Sequence, residues 1–431
     1  MTEQTGQLCD TFVGLWNAAS PEATIDGPIY PAAAQARNER ELEDFVDVLE
    51  AESRRARRRV RPSEDAERRV LAAFAKLAAR ALGWKREYLE GFQANGFREA
   101  LRAFPVRARR FDPRLSAADI YQAARNALTM HCLQSLLGVP IESTPAVLGY
   151  SLLYPYTDNL IDDPGLDASA KLAFGERLAA RLRGRAVAPV GPREARIFDL
   201  VGMIEGQFPR TRHPHVYESL LAIHDAQVRS LALMAGAAPP DPRTLIEIAV
   251  EKGGTSVMAD GYLVSESLTP RQVECIFGIG VFLQLRDDLE DVIDDGAAGV
   301  TTVFSAHRTD RLDEPTARAL AVGAGVLERL SCFDSPQAAP VRDIMARSLQ
   351  CTIADAAASF PALYGAPYLR ALEVRSPFGF TCLAEQRRRL TRANGSLTGL
   401  LERWISECAA PTSAPAIQPG PGLVRPAHDA A

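Results

Sequence analysis

The sequence predicts an all-α protein, a single large helical bundle around a central active-site cavity. Three observations lead there. Apolar residues recur at three- and four-residue spacing along most of the chain. The period-2 alternation of β-branched residues that marks strands is nearly absent. Proline- and glycine-rich breakers punctuate the periodic stretches at 189–192, 209–214, 239–242, 296–299 and 335–340.

Taken in order, helices are expected over about 39–59, 64–82, 86–103, 117–137, 145–162, 167–184, 193–206, 215–235, 242–264, 270–293, 314–331, 338–358 and 383–407. Pro145, Pro242 and Pro270 stand where a first helical turn accepts proline. No internal repeat is evident, and no gap in the middle reads as a linker. Residues 1–37 read as a loose N-terminal segment and 38–110 as an N-terminal helical extension. Residues 111–408 read as the catalytic domain. Residues 409–431, with Pro411, Pro415, Pro419, Pro421 and Pro426, read as a disordered tail.

Composition narrows the function classes. The chain has 431 residues, enough to bury a large core and still hold a substrate cavity. Its net charge of −5 argues against nucleic acid as the main partner, because phosphate binding needs a basic face. One basic run, Arg54 to Arg61, reads as a solvated cationic helix end before Pro62, or as a patch for an anionic partner or membrane surface. The longest apolar run, Ile276–Leu285, is too short to span a bilayer, so no transmembrane segment is expected. The N-terminus has no signal-peptide pattern, and the seven scattered cysteines form no C-x-x-C pair. A reducing, cytoplasmic setting is expected.

Two carboxylate clusters carry the chemistry. The first is Asp158-Asn159-Leu160-Ile161-Asp162-Asp163, ending an almost wholly apolar helix before Pro164. The second is Gln284-Leu285-Arg286-Asp287-Asp288-Leu289-Glu290-Asp291, again after an apolar lead-in. Asp158 and Asp162 are four apart, as are Asp287 and Asp291, so each pair shares a helix face. Like charges at that spacing repel, and a helix C-terminus, itself partly negative, disfavours them further. The pattern occurs twice, which points to an external cation. Magnesium (Mg2+) takes hard oxygen ligands from one or two carboxylates and completes its octahedron with water and phosphate oxygens. Two solvated acidic helix ends are the alternative.

A diphosphate held between such clusters would also need fixed positive charge. Lys252 precedes Gly253 and Gly254 inside a helical pattern, where paired glycines mark close backbone approach or a helix break. Gln227 and Arg229 on the preceding helix are further candidates, and Arg286 would orient carboxylates or touch phosphate. Tyr150, Tyr154 and Tyr156 would either line a cavity and stabilise a carbocation or pack in the core.

At these residues the chain resembles the class I isoprenoid synthase superfamily, closest to trans-prenyl diphosphate synthases. Gln284 to Asp291 matches that family's Q-x-x-D-D-x-x-D motif. Lys252 is similar to its diphosphate-binding K-T-G/A element, and Gln227 to a glutamine of the preceding helix. The first cluster departs from D-D-x-x-D, reading D-x-x-x-D-D as in squalene and phytoene synthases and some terpene cyclases. No paired arginines follow it, and no G-G-K-R-x-R-P element for isopentenyl diphosphate precedes it; Arg125 is the one modest candidate there.

The resemblance implies a bundle of the isoprenoid synthase type in which Asp158, Asp162, Asp163, Asp287, Asp288 and Asp291 bind several Mg2+ ions. Lys252, Gln227, Arg229, Arg286 and Gln284 would bind a prenyl diphosphate. The expected activity is terpene synthase-like ionisation of an allylic diphosphate to a cyclised or eliminated product. The rivals are a trans-prenyltransferase and a non-catalytic isoprenoid diphosphate-binding protein. A homodimer is expected by the same resemblance.

Overall fold

The structure is a computed structural model that describes residues 3–58, 64–88, 95–161, 165–233, 240–307 and 311–409. Its described residues form helices and connecting turns, without strands. The helices are α1 Glu3–Ala18, α2 Ala32–Arg58, α3 Glu64–Arg80, α4 Phe97–Phe111, α5 Ala117–Leu137, α6 Pro145–Ile161, α7 Ala168–Leu182 and α8 Gly191–Gln207. They continue as α9 Pro214–Ser230, α10 Pro242–Val264, α11 Pro270–Glu290, α12 Val292–Ala298, α13 Asp313–Arg329, α14 Ala338–Ser359, α15 Ala366–Glu373 and α16 Phe380–Ala409.

At the centre lie α10 and α11, buried on nearly every side. Side-chain caps define their starts. Asp241 accepts from the amides of Arg243 and Thr244 at the head of α10, and Thr269 with Gln272 forms a reciprocal box at the head of α11. Each has proline in its first turn, where the missing N–H costs nothing.

Glycines let these two helices touch. A Cβ on Gly280 would stand 2.1 Å from the Gly253 carbonyl oxygen, and one on Gly253 would stand 2.5 Å from that of Gly280. Gly254 gives the same clearance to the Phe277 ring, 2.2 Å from where its Cβ would be. Of the two readings of the paired glycines, close approach holds, because α10 runs unbroken through them. Around this pair, α9, α5 and α6 pack on α10, while α13 and α14 pack on α11.

The two ends of the chain correct the expected organisation. Within the segment expected to be loose, α1 (Glu3–Ala18) lies against α10, α11 and α13. Leu8, Cys9, Phe12, Val13 and Trp16 recur at helical spacing and are all buried. The Phe12 ring centroid is 5.8 Å from that of Phe277. Gly278 makes the room, since a Cβ there would come within 2.4 Å of the Phe12 ring. At the other end, α16 packs on α2 and α4 and also on α14 and α5, so it bridges the N-terminal helices and the rest of the bundle. Leu77, Ala81 and Phe378 form a small separate core there. Arg389 of α16 donates to Asp47 at 2.6 Å and to Glu50 at 3.1 Å, both on α2. The expected tail from residue 410 onward lies outside the described residues.

Candidate functional site

The second carboxylate cluster closes α11 and runs into α12. Asp291 sits between them, with its amide bonded to the Asp287 carbonyl and its own carbonyl accepting from Asp295. Helical phase is therefore kept through the junction. Asp287, Asp288, Asp291 and Asp295 all face one cleft of about 340 Å³, together with Gln227, Lys252, Gln284 and Thr302. Asp295 was not among the sequence candidates. The signal was there, since Asp287, Asp291 and Asp295 are spaced by four.

A second cleft of about 480 Å³ adjoins the first and shares Gln227, Lys252, Gln284 and Asp287 with it. Its far wall is α5, which contributes Gln122, Arg125, Asn126 and Thr129. Arg286 and Tyr154 also line it. Beyond Tyr154, Ile223 and Gln227 it runs into a small apolar recess bounded by Tyr150, Leu153, Leu178, Leu182 and Leu220. Tyr150 donates its hydroxyl to the Ser256 carbonyl at 3.2 Å, and Tyr154 bonds the Ser256 hydroxyl. Tyr156 turns away instead, giving its hydroxyl to Asp112 at 2.7 Å.

The electrostatics of the acidic wall are unbalanced. Burial pushes the Asp288 carboxyl up to about 7, against the opposing pull of Lys252 and of the Gln284 amide, which donates to it at 2.7 Å. Burial also raises Asp295 to about 6, helped by the negative charges of Asp291 and Asp287 and opposed by Lys252. Asp291 is raised too, by burial and then by Asp287, Glu290 and Asp294. Across the cleft, Arg125 brings Nη2 to 3.7 Å from the Asp287 carboxylate.

These carboxylates suit a hard divalent cation by donor type and by their uncompensated charge. Among the described residues no three His, Cys, Asp or Glu side chains converge into a ready-made metal cage. Magnesium does not require one, because it retains waters and recruits substrate phosphate oxygens. Asp288, Asp295 and Lys252 line the same cleft, so its carboxylates have one fixed cation beside them.

The remaining sequence candidates divide. Asp162 and Asp163 lie outside the described residues, as does the side chain of Asp158, which belongs to α6. Tyr154, one turn earlier on α6, lines the larger cleft. Gln227, Lys252, Gln284, Asp287, Asp288 and Asp291 are brought together. Arg229 is not brought with them. Its guanidinium pairs with Glu251, a buried carboxylate that would otherwise be stranded, and it lines neither cleft. Arg286 lines the larger cleft while pairing with Glu290, which Arg387 also approaches at 3.7 Å.

No known family profile matches the sequence, and no curated protein matches it. Among solved structures, the chain is similar to a geranylgeranyl pyrophosphate synthetase from Pyrococcus horikoshii at 14% identity and a TM-score of 0.34. That match covers 70% of this chain and 99% of the other. A polyprenyl synthetase from Streptomyces coelicolor matches at 14% identity and a TM-score of 0.28, over 69% of this chain and 97% of that one. Superpositions this loose settle neither a family nor an activity. No helix among the described residues is long and apolar enough to cross a membrane.

Proposed function

We propose that the protein is a magnesium-dependent enzyme of the class I isoprenoid synthase type, which ionises an allylic prenyl diphosphate to a cyclised or eliminated product. One observation carries the reading: four carboxylates, Lys252 and Gln227 share a cleft, and Gln227 also lines a small, mainly apolar recess of about 40 Å³. A diphosphate head and a hydrocarbon tail call for those two environments side by side. The sequence motif from Gln284 to Asp291 supports it independently.

In this reading Asp287, Asp288, Asp291 and Asp295 hold magnesium, with Asp158, Asp162 and Asp163 as a second set of ligands. The bound ions would neutralise charge on the departing diphosphate oxygens. Lys252 supplies a fixed cation toward the same oxygens. Gln284 holds Asp288 in place through its amide, and Gln227 sits where head and tail environments meet. Tyr154 lines the recess and the larger cleft, where its ring would stabilise an allylic cation.

A second reading, a prenyltransferase, is favoured by Arg125 and Arg286. Both line the larger cleft, so a second anionic substrate would find guanidinium groups there despite the missing basic motif. The test is diphosphate release from geranyl, farnesyl and geranylgeranyl diphosphates, each alone, with and without magnesium, with products extracted for mass spectrometry. Magnesium-dependent release with a hydrocarbon or alcohol product supports the first reading. Turnover that begins only when isopentenyl diphosphate is added transfers the protein to the second. Silence in every combination refutes both.

A further inference from the structure

We propose that Asn126 binds the water that ends the reaction, so that the product is an alcohol formed by capture of the allylic cation; the proposal rests on the ionising reading of the cleft. Asn126 is half-buried on α5 and lines the larger cleft. Its amide nitrogen carries two hydrogens, and both are donated inward. One goes to Asp260 Oδ1 on α10 at 3.0 Å, the other to Ser151 Oγ on α6 at 3.2 Å. Among the described residues nothing donates to the amide oxygen that remains. Asn126 therefore offers the cleft an acceptor in a fixed orientation.

The two anchors are fully buried. Ser151 gives its own hydrogen to the Met130 sulfur at 3.7 Å, which leaves its oxygen to accept from Asn126. The Asp260 carboxyl has Asn126 as its hydrogen-bond partner, and its Oδ2 is buried with none. Burial pushes that carboxyl well up, so it is neutral and needs no counter-ion. A leucine of similar volume would pack there without a polar group to bury, so what Asp260 adds is the hold on Asn126. Along α5, Gln122, Asn126 and Thr129 recur at helical spacing and all line the same cleft. Two neutral amides and a hydroxyl make a poor wall for a bare hydrocarbon and a good one for a water, which needs about two to four polar partners. When the allylic C–O bond breaks, its electron pair leaves with the diphosphate. The Asn126 oxygen accepts one hydrogen of the water and leaves a water lone pair free for the cation. A new C–O bond forms, and the proton released passes to a diphosphate oxygen.

The experiment incubates the full chain with magnesium and geranyl, farnesyl or geranylgeranyl diphosphate in water enriched in heavy oxygen, beside an enzyme-free blank, and reads the products by mass spectrometry. The expected product is an alcohol carrying the heavy oxygen, because cleavage at phosphorus would leave the substrate's own light oxygen on the alcohol. Asn126→Leu should lower the ratio of alcohol to hydrocarbon about tenfold, the effect of losing one hydrogen bond. Asp260→Leu should lower it from behind, whereas Asp260→Asn keeps an acceptor oxygen and should hold the ratio near that of the wild type. Ser151→Ala, the smallest change, should lower it too and serves where the leucine variants fail to fold. Hydrocarbon alone from the wild type, or a ratio that none of these variants lowers, overturns this proposal and leaves the ionising reading standing. An alcohol that keeps the light oxygen, or no product from any substrate, overturns both.

Discussion

Replacing Asp288 by Asn should stabilise the protein, and increasingly so as pH rises. In the folded chain the Asp288 carboxyl is pushed from 3.8 up to about 7, mainly by burial. Well below pH 3.8 it is protonated folded and unfolded, so it costs nothing. As pH rises from there to 7, the unfolded chain releases the proton while the folded one keeps it, and stability falls. Above 7 both are ionised and the full cost stands. Moving from 3.8 to about 7 makes that cost about 4 kcal/mol. Asn never ionises, and its side-chain oxygen still accepts from Gln284. The gap between variant and wild type should therefore grow from about 1.5 kcal/mol at pH 5 to about 4 kcal/mol at pH 8.5. Urea unfolding followed by circular dichroism, without divalent cation, measures it. Magnesium with inorganic diphosphate should then narrow the gap, since only the ionised carboxylate gains a cation. A gap that does not change with pH would refute the reasoning, because it would mean Asp288 titrates as an exposed carboxyl does.

Gly280→Ala should destabilise, although alanine is favoured over glycine in helices by about 1 kcal/mol, because its Cβ would lie 2.1 Å from the Gly253 carbonyl oxygen. Gly206→Ala meets nothing within 4 Å and should stabilise, so opposite shifts in melting temperature are expected from the two variants. Phe12→Ala should cost about 4 kcal/mol in urea unfolding, a loss that no loosely attached N-terminal segment would show. Lys252→Ala should lower the rate of diphosphate release about 100-fold and push the Asp288 carboxyl further up, since Lys252 opposes that shift. Arg229→Ala should leave that rate largely unchanged and cost about 1 kcal/mol by removing the partly exposed partner of the Glu251 carboxylate, read by comparing melting curves with single-turnover rates.

Helix positions were largely legible in the sequence, and α5 and α10 fall on their expected bounds. Capping residues and first-turn prolines are local signals, and local signals survive folding. The N-terminal helix was overlooked although Leu8, Phe12 and Trp16 carry its period, because what they pack against lies far along the chain. Of the helix expected over 86–103, residues 86–88 are helical, 89–94 lie outside the described residues, and α4 begins at Phe97 after Gly96, whose φ of 81° is a left-handed turn that no apolar pattern announces. In the site, Lys252, Gln284 and Asp287 were legible as a motif. Arg229 was not separable from them, because its partner Glu251 lies one residue before Lys252 in sequence yet holds Arg229 outside the clefts. Asp295 escaped because the pattern was cut at the end of a motif, whereas the helical hydrogen bonding passes through Asp291 without a break.

The seat of α1 has a consequence for synthesis. Phe12 leaves the ribosome well before the residues that build its pocket, Phe277 and Gly278. At roughly 5–20 residues per second, about 15–50 s separate the helix from its partner. Throughout that interval Leu8, Phe12 and Trp16 form an apolar stripe with nothing to cover it. Nascent chains should therefore be captured early by chaperones that hold exposed hydrophobic segments, and a bulky N-terminal fusion should impair the last docking step more than it impairs the bundle.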